Sequence, residues 1–405
     1  MNWMSSTISG FLAAGIAAGI KKKRGLFDLG LIYAPGGASA AGIFTTNRVA
    51  APVVALDRER LRAGRTFAVL VNSGNANTAV GRRGMRDARL CTAAAARGLR
   101  LRPEQVLMSS TGVIGEKLPV QAVTGALPEL VRSLRPDGFF DFARAIMTTD
   151  THPKLVRRSF RLGRTRAHLL GVAKGSGMIH PRMATLLVYL LTDLAAPAPL
   201  LRRLLREAAA DTLNAISVDG DTSTSDTVLL LASGRAGNEP LQAGSPAARS
   251  FLAALREVAA ELADQIVRDG EGATKLFRVE VRGARTREQA DRVARRIANS
   301  PLVKTAFHAG DPNWGRVLAA AGSAGVAINP GRLELVFQDE AGRQRVSVVK
   351  AGAVAPGYRE KAAAAILKRE RFRVILSLHQ GRAARIISTC DFSADYVRIN
   401  AEYRS

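Results

Sequence analysis

A glycine-rich, charged stretch, Ala173-Lys174-Gly175-Ser176-Gly177-Met178-Ile179-His180-Pro181-Arg182-Met183-Ala184-Thr185, runs directly into the apolar segment Leu186 to Leu191. That segment is too short to span a bilayer and reads as a buried strand. The Thr185 hydroxyl therefore falls where a pliable loop meets a rigid sheet. A group at the head of a buried strand is held by packing, while Gly175 and Gly177 let other backbone approach closely. The position suits a nucleophile. Threonine is also a common first residue of a strand, and the pattern by itself favours that plainer reading.

A chain of 405 residues exceeds the usual single core, so one large or two closely packed domains are expected. Cys91 and Cys390 lie far apart and suggest neither a disulfide framework nor a four-ligand zinc site; both read as buried small residues in a reducing cytoplasm. The formal charge of +25 raises nucleic acid as a partner. The arginines are spread along helix-like segments and mixed with acids, however, and only 5% of residues are aromatic, so stacking platforms are not evident. The charge reads as a solvated basic surface, with no nucleic-acid site. The apolar stretch Ile8 to Ile20 is followed, not preceded, by Lys21 to Arg24, and it is too short for a membrane span, so neither a signal peptide nor membrane insertion is expected.

Between Ile8 and Pro52 short apolar runs alternate with glycines, as strands and tight turns of a layered α/β domain would. Phe67 to Val71 is a strand expected to end in an Asn72-Ser73-Gly74-Asn75-Ala76-Asn77 turn, whose asparagines could satisfy their own backbone or face a substrate. Val106 to Met108 is a strand expected to end in the turn Ser109-Ser110-Thr111-Gly112-Val113-Ile114-Gly115, which could aim a hydroxyl and a backbone N–H at one atom. Helices are predicted around Arg86 to Leu99, from Pro197 to Leu213, and from a Ser245-Pro246 cap to Asp269-Gly270; Thr286 and Gln289 form a capping box for another. Glu271 sits between two glycines, in a setting that suits a solvated turn or a ligand amine. The acidic run Asp219 to Leu230 lacks the sixth-position Gly and twelfth-position Glu of an EF-hand, so no metal is expected there. Leu333 to Phe337, Val346 to Val349 and Phe372 to Leu378 read as strands.

The segment Lys174 to Thr185, together with the Ser110-Thr111-Gly112-Val113-Ile114-Gly115 turn, resembles the ornithine acetyltransferases, the bifunctional glutamate N-acetyltransferases of arginine biosynthesis. Asp311 to Arg316 and Asp269 to Lys275 match further signatures of that family, and the likeness runs over nearly the whole chain. Three local departures stand out: His308 and Ala309 before the Asp311 motif, Arg182 where an Asn is frequent, and Ser405 in place of a terminal Thr.

The resemblance implies a layered N-terminal-nucleophile-like α/β fold of the DmpA/ornithine acetyltransferase type, helices packing on mixed sheets. It implies self-cleavage between Ala184 and Thr185, giving an α chain of residues 1–184 and a β chain of 185–405 with a smaller C-terminal lobe from about residue 275, paired as α2β2. Thr185 would be the nucleophile, with the Thr111 hydroxyl and the Gly112 amide as oxyanion hole. Thr148 (among Thr148, Thr149 and Thr151), Lys174, Glu271, Asn400 and Ser405 would bind the substrates N2-acetylornithine and L-glutamate. No cofactor is implied, though acetyl-CoA could serve as donor. A self-cleaving amidase or aminopeptidase would share this nucleophile and pass the acyl group to water; a basic nucleic-acid-binding protein would need no cleavage.

Overall fold

The computed structural model describes residues 7–62, 64–180 and 186–402. Ala184, Thr185 and Ser405 lie outside the described residues. The strands in chain order are β1 (Leu12–Ile16), β2 (Leu29–Phe44), β3 (Thr66–Asn75), β4 (Val106–Val113), β5 (Lys154–Leu162), β6 (Thr165–Lys174) and β7 (Leu187–Thr192). They continue with β8 (Ile216–Ser217), β9 (Thr227–Ala232), β10 (Leu276–Ala284), β11 (Glu334–Asp339), β12 (Arg345–Lys350), β13 (Ala353–Val354), β14 (Arg371–Ser377) and β15 (Ala383–Cys390). The chain divides into two compact units, one of residues 1–214 and 221–266, the other of 215–220 and 267–405. Each is α/β with a mixed sheet, the fold class the sequence predicts.

The first unit carries a sheet in the order β4-β3-β2-β9-β7-β6-β5, with β1 added to β2. Its middle strands β7 and β9 are buried at every position, as the unbroken apolar runs require. Between Ile8 and Pro52 the expected strands are β1 and β2, and β2 runs on through Pro35-Gly36-Gly37 because it changes partner. Leu29 to Tyr33 pair with β1, and Ser39 to Phe44 pair with β9. The two expected turns after Val71 and Met108 are also extended backbone. They pair with each other in parallel, Asn72 with Ser110, Ser73 with Thr111 and Gly74 with Gly112, so each supplies the other's hydrogen bonds.

The second unit carries a sheet in the order β13-β12-β11-β14-β10-β15-β8. Its core includes Phe277, Phe307, Phe337 and Phe372: Phe277 stacks on Phe372 at 5.2 Å, and Phe307 meets both edge-on at 5.0 and 5.5 Å. The helix Arg287–Ala298 starts where the Thr286 Oγ accepts from the Gln289 backbone N–H at 3.1 Å. The reciprocal half of the expected capping box is shifted by one residue, since Gln289 Oε1 accepts from the Arg285 N–H at 2.7 Å, not from that of Thr286. The long helix Pro246–Arg268 has the predicted limits. Cys91 and Cys390 are buried free thiols. Among the described residues no helix is long and apolar enough to cross a membrane.

Phe307 touches two ring edges at once, so its loss leaves a cavity that neighbours on three elements cannot all close. Phe307→Ala is expected to destabilise the second unit by about 3–5 kcal/mol in denaturant titration. A change below about 1 kcal/mol would show that this aromatic cluster is not a keystone of the core.

Candidate active site

The register of β3 against β4 brings two glycines opposite each other at the end of the pair. Gly112 has φ +131°, and a Cβ there would lie 2.3 Å from the Gly74 carbonyl carbon. Only glycine fits, for steric as well as conformational reasons. Around this crossing the asparagines bond to neighbouring chain. Asn72 accepts from Ser110 Oγ at 2.6 Å and donates to the Asn75 carbonyl at 2.8 Å; Asn77 donates its side chain to the Gly84 carbonyl at 2.9 Å. Asn75 accepts from the Asn77 N–H at 2.8 Å. The backbone-satisfying reading of this segment thus has a partner for each amide. Thr111 follows Ser110 and is nearly buried.

Lys174 ends β6, paired with Leu187 at the start of β7. Its ammonium donates to Thr111 Oγ1 at 3.1 Å and to Thr148 Oγ1 at 2.9 Å. Three residues singled out from separate stretches of sequence, Thr111, Thr148 and Lys174, therefore share one hydrogen-bonded cluster. Thr148 brings the hydroxyl of its segment to Lys174.

The residue that assembles the cluster is Asp150. Its Oδ1 accepts from Lys154 Nζ at 2.7 Å and from the Gly175 N–H at 2.7 Å, and its Oδ2 accepts from the Thr148 N–H at 2.9 Å. One carboxylate thus ties the Thr148 segment to the turn that follows Lys174. Burial opposes its ionisation, but Lys154 and Lys174 with the donated hydrogen bonds outweigh that and hold its pKa well below the usual carboxylate range. Lys154 is itself fully buried. Lys21 adds a further cation: its Cγ packs 3.0 Å from where a Cβ on Gly74 would sit, burial lowers its pKa, and Asp28 and Asp150 partly offset that. Asp226, on the approach to β9, is buried with Oδ2 lacking a hydrogen-bond partner among the described residues; burial pushes its pKa well up, against Ser223 and Lys174. Sequence reasoning passed over Asp150, Lys154, Lys21 and Asp226. The available signal was an Asp four residues before a Lys in a segment already under suspicion.

In the second unit, Glu271 follows the helix Pro246–Arg268 and is nearly buried. Its Oε2 accepts from Asn400 Nδ2 at 2.7 Å, bringing together two residues 129 apart in sequence. Asn400 lies on the helix Ala394–Ala401. That helix can reach the loop because Gly272, at φ +68°, has no side chain: a Cβ there would lie 2.6 Å from the Tyr396 nitrogen. Ser393 Oγ donates to the Gly272 carbonyl at 2.6 Å, and Asp391 accepts from the Thr274 and Lys275 N–H groups at 2.8 Å and from His308 Nδ1 at 2.7 Å. Burial raises the Asp391 pKa, but the bonds from Thr274 and His308 outweigh it and bring it below the ordinary value. The Asp311 to Arg316 motif is architectural: Asn313 Oδ1 caps the helix Trp314–Gly322, and Arg316 donates to the Leu302 carbonyl at 2.8 Å.

Residues 12–405 match the profile of the ArgJ family. The chain is 45% identical over 398 residues to the arginine biosynthesis bifunctional protein ArgJ of Geobacter sulfurreducens, covering 98% of this chain and all of that one. It is 44% identical over 409 residues to the protein of the same name from Symbiobacterium thermophilum, covering 100% of both. Among solved structures, it is similar to the arginine biosynthesis bifunctional protein argJ of Bacillus halodurans, at 38% identity over 53% of this chain and 97% of that one, with a TM-score of 0.49. It is also similar to the Mycobacterium tuberculosis ornithine acetyltransferase complexed with ornithine, at 33% identity over 45% of this chain and 98% of that one, with a TM-score of 0.40.

Asp150 stabilises the fold through a depressed pKa, so its contribution is present above the unfolded value near 3.8 and is lost as pH falls through the lower folded value. Asp150→Asn should remove that part of the acid-unfolding curve. At neutral pH it should also cost about 3–5 kcal/mol, since it removes the carboxylate that faces the buried Lys154 ammonium. Acid titrations of the two proteins that superimpose would refute the assignment of this ion pair as the tie.

Proposed function

The chain belongs to the ArgJ family, and from that premise we propose that it transfers acetyl from N2-acetylornithine to L-glutamate through an acetyl ester on Thr185. The observation that carries this reading is the Lys174 ammonium held between the hydroxyls of Thr111 and Thr148. A cation set among hydroxyl donors on two strands and a loop is suited to a carboxylate beside an acyl carbonyl, which every substrate of this exchange possesses.

Maturation comes first. Thr185 Oγ attacks the Ala184 carbonyl carbon, the C–N bond breaks as nitrogen takes the proton, and water hydrolyses the resulting ester. The products are a carboxylate on Ala184 and a free amine and hydroxyl on Thr185, giving an α chain of residues 1–184 and a β chain of 185–405. An α-amino group has a reference pKa of about 7.7–8.0, so near neutrality a useful fraction can accept the hydroxyl proton. The nucleophile carries its own base.

In turnover the Thr185 oxygen attacks the acetyl carbonyl of N2-acetylornithine, with the Thr111 hydroxyl and the Gly112 N–H as donors to the developing oxyanion. The C–N bond breaks, the amine of ornithine takes the proton and leaves, and glutamate then attacks the ester by the same route in reverse. Lys174 binds the α-carboxylate that donor and acceptor share. Thr148, Glu271, Asn400 and Ser405 are proposed as further substrate contacts, and acetyl-CoA as an alternative donor. The reaction needs no cofactor, is assigned to the cytoplasm, and takes place in an α2β2 assembly.

Intact mass spectrometry of the purified protein beside Thr185→Ala tests the first stage. Fragments ending at Ala184 and beginning at Thr185, absent from the variant, are expected; a cleaved and active variant would sink the nucleophile. Acetyl transfer to glutamate, assayed against release of free acetate, separates a transferase from an amidase. Lys174→Met is expected to raise KM for acetylornithine and glutamate alike, by about 10- to 100-fold, as loss of a charge-assisted hydrogen bond predicts. An effect on only one of the two would place Lys174 elsewhere. Deleting residues 400–405 should lower transfer while leaving cleavage intact.

A further inference from the structure

A cavity in the first unit lies where β2 changes partner. β1 leaves β2 at Tyr33 and β9 joins it at Ser39, so Pro35 and Gly36 fall between the two pairings and line a cavity of about 390 Å³. That lies within the size range of small-molecule sites. Its walls include the apolar Ile8, Phe11 and Leu12, its basic members are Arg157, His168 and Arg235, and no carboxylate lines it among the described residues. His168 is six residues from Lys174 along β6, or about 20 Å of strand, so this cavity is separate from the Lys174 cluster.

Two features show that the basic groups are placed there and are not merely part of a cationic surface. Asp193, itself buried, accepts from the His168 N–H at 2.7 Å and from Nδ1 at 2.8 Å. A carboxylate in this setting accepts, so the proton is on Nδ1 and the ring is locked in orientation. The Asp193 carbonyl also accepts from the Ala236 N–H at 2.7 Å, which fixes the turn that carries Arg235. Arg235 in turn lies across two glycines: a Cβ on Gly36 would stand 2.9 Å from its Nη2, and one on Gly10 2.8 Å from its Cγ. Side chains at either position would displace it. Neither guanidinium, of Arg157 or of Arg235, has a hydrogen bond or ion pair among the described residues.

We propose that this cavity is a second binding site, for a small molecule that joins one carboxylate or phosphate group to a compact apolar body. The two guanidiniums take the anionic head, and the Ile8, Phe11 and Leu12 wall takes the body. Nothing in the proposal depends on the transferase reading.

The chain has five histidines, so selective ¹³C labelling of their rings gives a spectrum simple enough to follow, with His168→Gln assigning one signal. Phenyl phosphate and phenylacetate are titrated separately at constant ionic strength made up with chloride, which distinguishes the two kinds of head on one body. The expected result is a saturable shift of the His168 signal with at least one probe, weakened about tenfold or more in Arg157→Gln/Arg235→Gln. Both arginines are exposed and unpaired, so the variant should keep the melting temperature of the parent. No saturation, an equal shift at His152 and His379, or a shift undiminished in the double variant would overturn the site.

Discussion

The buried pair of Asp150 and Lys154 is the contact from which the candidate active site is built. Neither side chain is exposed. An isolated charge in that environment would cost several kcal/mol, so each demands the other, and the remaining lone pairs of the carboxylate demand donors. The Gly175 and Thr148 N–H groups supply them. The outcome is geometric: a loop and the end of a strand are held at one distance, and the Thr148 hydroxyl is brought to the Lys174 ammonium. A hydrophobic isostere could fill the same space but could not specify which backbone amides come together.

The second unit solves the same problem with the same chemistry on different elements. Asp391 accepts two consecutive backbone N–H groups, the Thr274 hydroxyl and the His308 ring, and so fixes the loop that presents Glu271. Gly272 lets the helix bearing Asn400 approach to within bonding distance of that loop. In both units a buried acid that contacts no proposed substrate atom shapes a loop that carries one proposed substrate contact, Thr148 in the first unit and Glu271 in the second. Rigidity is thus supplied from behind the site.

Much of this was legible in the sequence, and the parts that were not share a cause. Apolar runs marked β7, β11 and β14, because strands buried at most positions leave a near-continuous signature. Helix limits at Pro246 and Arg268 followed from a cap and a glycine stop. The Asn72 to Asn75 and Ser109 to Val113 segments read as turns because small polar residues and glycine usually mark them, yet they are strands that pair with each other. Local composition cannot report a partner 38 residues away. The length of β2 was hidden for the same reason: at Pro35-Gly36-Gly37 the strand exchanges neighbours, which local composition does not report. Lys154 was invisible because a buried lysine is rare enough that any lysine is first taken as solvated. Thr111, Thr148 and Lys174 could be selected one by one, but only the fold shows that they meet.

The charge of +25 acquires structure in the same way. Read along the chain it is a diffuse surface property; read on the first sheet, part of it is directed. Lys174 stands at one end of β6 among hydroxyls, with Lys21 and Lys154 close behind, and His168 stands toward the other end with two guanidiniums in its cavity. At each end a buried acid holds a side-chain nitrogen, Asp150 that of Lys154 and Asp193 that of His168, and each acid also accepts a backbone N–H. A screened surface charge needs no such support, because water orients around it at little cost. A side chain braced by a buried carboxylate is one whose position matters. On this sheet the bracing occurs at both ends of a single strand.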